Sequence, residues 1–196
     1  MKPQYFEFLN SAKILSGKNA LENVPFELER LGARRPMIIT DSGVAGAGLI
    51  ELFRGAFDGT KVSIGSIYDQ VPPDSSLATV TEIARQFHDD ACDSLVAIGG
   101  GSPIDTAKGV NIVVTEGTND LEPYLGAEIL DHPLKPLIVI PTTAGTGSEV
   151  TSAAVIADPE KNRKLVIASE FLIPNVAVLD PRMTQSLPPR ITAATG

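Results

Sequence analysis

Three short runs in this sequence are apolar almost throughout, and segments of helical periodicity separate them. The runs are Pro36–Thr40, Ser94–Ile98 and Leu137–Ile140. A strand with one wet face alternates polar and apolar residues, so runs of this kind belong to strands covered on both faces, as in a parallel sheet. Between them a helical stretch spans about Val44 to Phe57. Leu77, Val80, Ile83, Ala84 and Phe87 share one helical face, and Ile104 to Val114 forms another helix. Lys61 to Ile67 and Asn175 to Leu179 supply further strands. The expected fold is α/β, a Rossmann-like parallel sheet with helices on both faces. Right-handed crossovers then bring the strand C-termini to one edge, where open sheets of this class bind ligands.

The flanking segments carry their own signals. Gln4 to Asn10 mixes aromatic and polar residues, and Lys13 to Leu15 could pair with it in an N-terminal hairpin turning at Asn10-Ser11. Leu21, Val24, Leu28 and Leu31 fall at helical spacing up to Gly32, which stops that helix. Asp74, Ser75 or Ser76 caps the helix that begins near Leu77. Ala153–Ala157 and Lys164–Ala168 flank a loop of turn residues and predict a second β-hairpin. Pro188-Pro189 introduces a helical turn over Arg190 to Gly196.

With 43% hydrophobic and 20% charged residues in 196, the chain can bury a sizeable core. A net charge of −8 argues against a surface that tracks polyphosphate, so nucleic acid is excluded as a partner. Cys92 has no second cysteine to pair with, which fits a reducing compartment. The first residues show no basic-then-apolar leader, and no apolar run is long enough to span a membrane. A soluble, cytoplasmic protein is expected.

Three places carry chemistry. Gly99-Gly100-Gly101-Ser102-Pro103 follows a buried strand and opens a helix, with Ser102 able to cap and Pro103 at the first helical position. Glycines admit close approach of a ligand to the backbone, and a helix start offers free N–H groups with partial positive charge. The combination suits a phosphate; a tight turn that binds nothing is the alternative. Pro141 to Thr151 follows the next strand and holds five hydroxyls and two glycines in eleven residues. It reads as ligand donors, or as a helix cap centred on Ser148. Asp41 ends the Pro36–Thr40 strand, where a carboxylate can accept from a ribose and repel a 2′-phosphate, or simply cap a helix. No G-x-G-x-x-G follows the first strand, and no GK[ST] is present.

The segments GGGSPIDTAKG and PTTAGTGSEVT, about forty residues apart, resemble the two signature segments of iron-dependent alcohol dehydrogenases, and ITDSGV, VPPDSS and LDPRMTQSLPPRITAATG fit the same pattern. The resemblance implies an α/β dinucleotide-binding domain over 1–187 and, at 188–196, the start of an all-helical metal domain. It implies NAD, with NADP less favoured, and hydride transfer between a primary or secondary alcohol and its aldehyde or ketone. Gly100, Gly101 and Ser102 would contact the pyrophosphate and Asp41 the adenosine ribose. Asp74 would approach adenine or ribose, although the family usually has Asn there. Thr142, Thr143, Thr146 and Thr151 would line the cofactor cleft, while Lys164 and Asp105 would lie toward the nicotinamide. By the same resemblance Fe²⁺ or Zn²⁺ belongs to the complete enzyme only. Its first Asp ligand would follow Gly196, so no metal or catalytic residue is expected here, and the 196 residues alone should be catalytically silent. His88 and His132 are expected to be surface residues, and Cys92 a small core residue. Zinc-dependent polyol dehydrogenases, dehydroquinate-synthase-like relatives and a non-catalytic nucleotide-binding module stay open as alternatives, as does assembly into a homo-oligomer.

Overall fold

A computed structural model describes residues 9–195 of the chain. Six parallel strands form the main sheet: β1 (Lys13–Ser16), β2 (Pro36–Ile39), β3 (Ser66–Tyr68), β4 (Ser94–Gly99), β6 (Leu137–Pro141) and β9 (Val176–Leu179), in the order β1-β9-β6-β4-β2-β3. β5 (Gly126–Ala127), β7 (Ala153–Asp158) and β8 (Arg163–Ala168) make a second, three-stranded sheet, whose β7–β8 pair is the expected hairpin.

The apolar runs behave as strands wetted on neither side. Successive residues enter opposite cores: Met37, Ile39, Leu95, Ala97 and Val139 pack with α4 (Leu77–Asp89) and α5 (Gly101–Glu116). Ile38, Val96, Ile98, Ile138 and Val178 pack with α1 (Val24–Arg30) and α3 (Leu49–Gly55). Helices therefore cover both faces, and burial of the two cores is the dominant stabilising term. From β2 onward the chain moves outward to β3, returns past β2 to β4, and then proceeds to β6 and β9. The direction of winding changes between β2 and β4, and their carboxyl ends diverge there into a crevice.

Several boundaries differ from the sequence expectation. The helix over Val44–Phe57 is two helices, α2 (Ser42–Gly46) and α3, because Gly48 between them takes φ +74°. The periodic stretch from Leu21 to Leu31 divides into a 3₁₀ turn at Ala20–Asn23 and α1; Pro25 has no N–H to carry the helix backward. The strand over Lys61–Ile67 pairs only from Ser66, although Ser63 and Gly65 already donate to Arg34 and Pro36 carbonyls. α5 starts two residues earlier than Pro103: Gly100 is its N-cap, with no side chain capping, so Ser102 lies inside the first turn. Ser76 is the residue that caps α4. β1 pairs in parallel with β9, while most of the partner expected at Gln4–Asn10 lies outside the described residues. α6 (Pro189–Thr195) is the helix expected after Pro188. Among the described residues no helix is long and apolar enough to cross a membrane.

Candidate functional site

The crevice between the ends of β2 and β4 is a cleft of about 540 Å³. Strand ends dictate its polar residues. Asp41 follows β2, Gly100, Gly101 and Ser102 follow β4, and Thr142 and Thr143 follow β6; all six line the cleft. The parallel pairing of these strands thus brings together residues as far apart in sequence as Asp41 and Thr143.

At the head of α5 the backbone is stripped of side chains for a reason. A Cβ on Gly99 would stand 2.5 Å from Pro103 Cγ, and one on Gly100 would stand 3.0 Å from Thr143 Oγ1. The first bond inside the helix is donated by Ile104 to Gly100, and Pro103 has no N–H to give. The N–H groups of Gly101 and Ser102 consequently begin the helix without intrahelical acceptors, at its positive end and on the cleft. Thr143 Oγ1 is buried and has no hydrogen-bond partner among the described residues. A hydroxyl in that state against Gly100, on a cleft that Gly101 and Ser102 also line, suits an anionic ligand.

Asp41 caps α2, accepting the Val44 N–H at 2.9 Å through Oδ1. Its other oxygen, Oδ2, lies toward Gly99. The helix-cap reading of this residue is thus observed, and Oδ2 takes no part in that cap. Thr146 stands against Gly101, its Cγ2 3.7 Å from where a Cβ would be. Thr151 sits behind the cleft, where its carbonyl and hydroxyl accept from Lys108 Nζ at 2.8 and 3.2 Å. Asp105 faces β7 rather than the cleft: Oδ2 accepts the Val155 N–H at 3.3 Å, and Oδ1 is buried without a partner. Burial pushes this carboxyl up, against the opposing pull of Lys108 and Ser148. Ser148 caps no helix, because residues 142–152 form a loop.

Asp74 and Lys164 meet in an exposed ion pair of 2.9 Å, joining the loop before α4 to the hairpin. Neither is among the residues lining the cleft, and Asp74 at the adenosine with Lys164 at the nicotinamide would require that pair to open. Sequence reasoning missed the apolar wall, formed by Val71, Pro72, Pro73, Leu187, Pro188 and Ile191. The signal was available for the first three, since they follow β3 on the same sheet edge. It also passed over Lys108, which is fully buried.

Neither histidine approaches the cleft. His88 is exposed and meets the Phe87 ring edge-on, and His132 pairs with Asp131 and Glu116 at the surface. Among the described residues no group of three His, Cys, Asp or Glu side chains could hold a metal ion. Burial drives the Cys92 thiol up to about 11, as suits a small core residue.

Residues 11–181 match the family described as iron-containing alcohol dehydrogenase. The chain is 42% identical over 174 residues to the 4-hydroxybutyrate dehydrogenase of Cupriavidus necator, a match that covers 87% of this chain and 44% of that protein. It is 35% identical over 189 residues to the NAD-dependent methanol dehydrogenase of Bacillus methanolicus, covering 96% and 49%. Among solved structures, the alcohol dehydrogenase from Oenococcus oeni superposes with a TM-score of 0.91 at 33% identity, over 97% of this chain and 50% of that one. The chain spans about half the length of the relatives it matches, corresponding to their N-terminal half. With the glycine turn, the threonine loop and the β2–β4 crevice in the arrangement described, the chain belongs to the iron-containing alcohol dehydrogenase family.

Proposed function

We propose that this chain is the NAD-binding half of an oxidoreductase that interconverts a primary or secondary alcohol with its aldehyde or ketone. The observation that carries the reading is the head of α5: two N–H groups without intrahelical acceptors and a partnerless Thr143 hydroxyl, at a crevice edged by a carboxylate. The N–H groups of Gly101 and Ser102 and the Thr143 hydroxyl would hold the pyrophosphate, with Gly100 leaving room for it. Asp41 Oδ2 would accept from the adenosine ribose and disfavour a 2′-phosphate. Thr142 would edge the remaining length and Thr146 would back the glycine turn. Thr151, behind the cleft, and Asp105, facing β7, would support it from beneath. Lys164 would reach the nicotinamide, and Asp74 the adenosine, only once their pair opens. The bound nicotinamide would supply the hydride acceptor at its C4. The chain's own residues would orient that ring, and since no metal ligand set gathers among the described residues, the Fe²⁺ or Zn²⁺ of a complete enzyme would be held elsewhere in the protein. By itself the 196-residue polypeptide should bind dinucleotide without oxidising alcohol.

Calorimetric titration with NAD and with ADP-ribose tests this. Both should bind, and Gly101→Ala should weaken both by about tenfold or more. The added methyl meets only ordinary contacts of 3.7 Å, so the variant should fold normally while obstructing the ligand. A folded wild-type chain that takes up neither ligand at about millimolar concentration would end the reading.

A further inference from the structure

Lys108 lies two turns into α5 from the glycine turn, and among the described residues it is the only buried lysine or arginine. Its direct partners are all neutral. Nζ donates to the Thr151 carbonyl at 2.8 Å, the Thr151 hydroxyl at 3.2 Å and the Ala153 carbonyl at 2.8 Å. Asp105 and Glu149 act on it only through space. A buried ammonium without a counter-ion in contact is costly, and an apolar residue of similar shape would serve packing better. What the ammonium gains is three acceptors from one short stretch, where the loop after β6 enters β7.

That loop is lightly held elsewhere. Thr142 at its start donates to the Gly99 carbonyl at 3.0 Å. Further along, Val150 donates to Gly147 and Ser148 to the Thr146 hydroxyl, both inside the loop. Ser148 also reaches Asp105 on α5, so Thr143 and Thr146, which stand against Gly100 and Gly101, lie in a span tied at Gly99 on one side and at Asp105 and Lys108 on the other.

We propose that Lys108 is a positioning residue for dinucleotide binding: it clamps the far end of the 142–151 loop and so holds Thr143 and Thr146 over the glycine turn. This rests on the cofactor reading given above. Lys108→Met keeps the apolar stem and removes the ammonium. In the 196-residue chain its Kd for NAD should rise about tenfold or more at neutral pH, measured by calorimetry at a temperature where both proteins are folded. A lysine that served packing alone would lower the melting temperature and leave Kd in place.

Thr143→Val separates the route. If Lys108 works through the loop, adding Lys108→Met to Thr143→Val costs much less than tenfold, because both changes disrupt one contact. Should Lys108→Met not fold, the wild type supplies the readout. Burial pulls the Lys108 ammonium down to about 8, and deprotonation removes its charge and one of three donors. NAD affinity should then fall as pH is raised through that value, between about 6.5 and about 9.5. The charged groups around Lys108 are Asp105 on its own helix, Glu149 in the loop, and Lys135 and Glu170 across the adjoining small cavity.

An unchanged Kd in folded Lys108→Met, additive losses in the double variant, or a flat pH profile would each overturn the proposal. A wild-type chain that binds no NAD removes the cofactor reading itself. Equal binding by wild type and Lys108→Met removes only the role of Lys108.

Discussion

Asp41 Oδ1 is occupied by the Val44 N–H, which leaves Oδ2 outside the cap. Asp41→Asn retains a good capping acceptor while removing the charge. A carboxylate facing a 2′-phosphate costs on the order of 2 kcal/mol in repulsion and a lost hydrogen bond, more than tenfold in affinity. The variant should therefore narrow the preference for NAD over NADP by about that factor, with its melting temperature little changed. Titration of both proteins with both dinucleotides checks this; an unaltered ratio would leave Asp41 as a helix cap alone. Cap and ribose acceptor could not be separated from sequence, because both call for a short acid at a strand end. Lys108 was hidden differently. α5 is buried on most of its circumference, so a lysine within it had little chance of reaching solvent. Its neighbours Ile104, Ala107 and Val110 carried that message. Partners at Thr151 and Ala153 depend on how the hairpin docks, which no local pattern encodes.

The strands were legible because apolar runs leave few alternatives, and the hairpin because turn residues separate two such runs. Helix ends were less so. The break at Gly48 depends on one backbone angle, and the start of α5 on how β4 delivers its glycines. The link between the 3₁₀ turn before α1 and the end of β9 was invisible, since it joins residues far apart in sequence. Asp180 is buried there, accepts the Leu21 N–H, and is gripped by Arg182, which reaches on to Glu22. Burial raises the Asp180 carboxyl, but the Arg182 guanidinium and two backbone N–H groups outweigh it and hold it below its ordinary value. A carboxylate depressed in the folded state stabilises above its unfolded pKa of about 3.9 and loses that contribution as pH falls through the lower folded value. Asp180→Asn should thus cost about 3 kcal/mol at neutral pH, and the gap to wild type should close as pH falls through the depressed folded value of the carboxyl. Urea unfolding at neutral and acid pH measures both. A gap that stays constant across pH would show that Asp180 contributes shape rather than charge.

The strongest expectation for the polypeptide taken together is that cofactor binding and turnover come apart. Metal analysis after purification should find no stoichiometric iron or zinc. Assays of NAD reduction with short alcohols and diols should stay at background with either metal added, because three or four protein ligands are needed and none gather among the described residues. Stoichiometric metal with turnover would show that the active site has been misplaced. The pairing of β1 with β9 carries another consequence, one that concerns time. β1 finds its neighbour only in β9, and the ties from Leu21 and Glu22 reach across 159 and 160 residues. Contacts of such separation form late, since a long loop must close before they are rewarded. During synthesis β1 must wait until β9 has emerged before it has that edge to join, and β2 and β4 can pair while it is still unplaced.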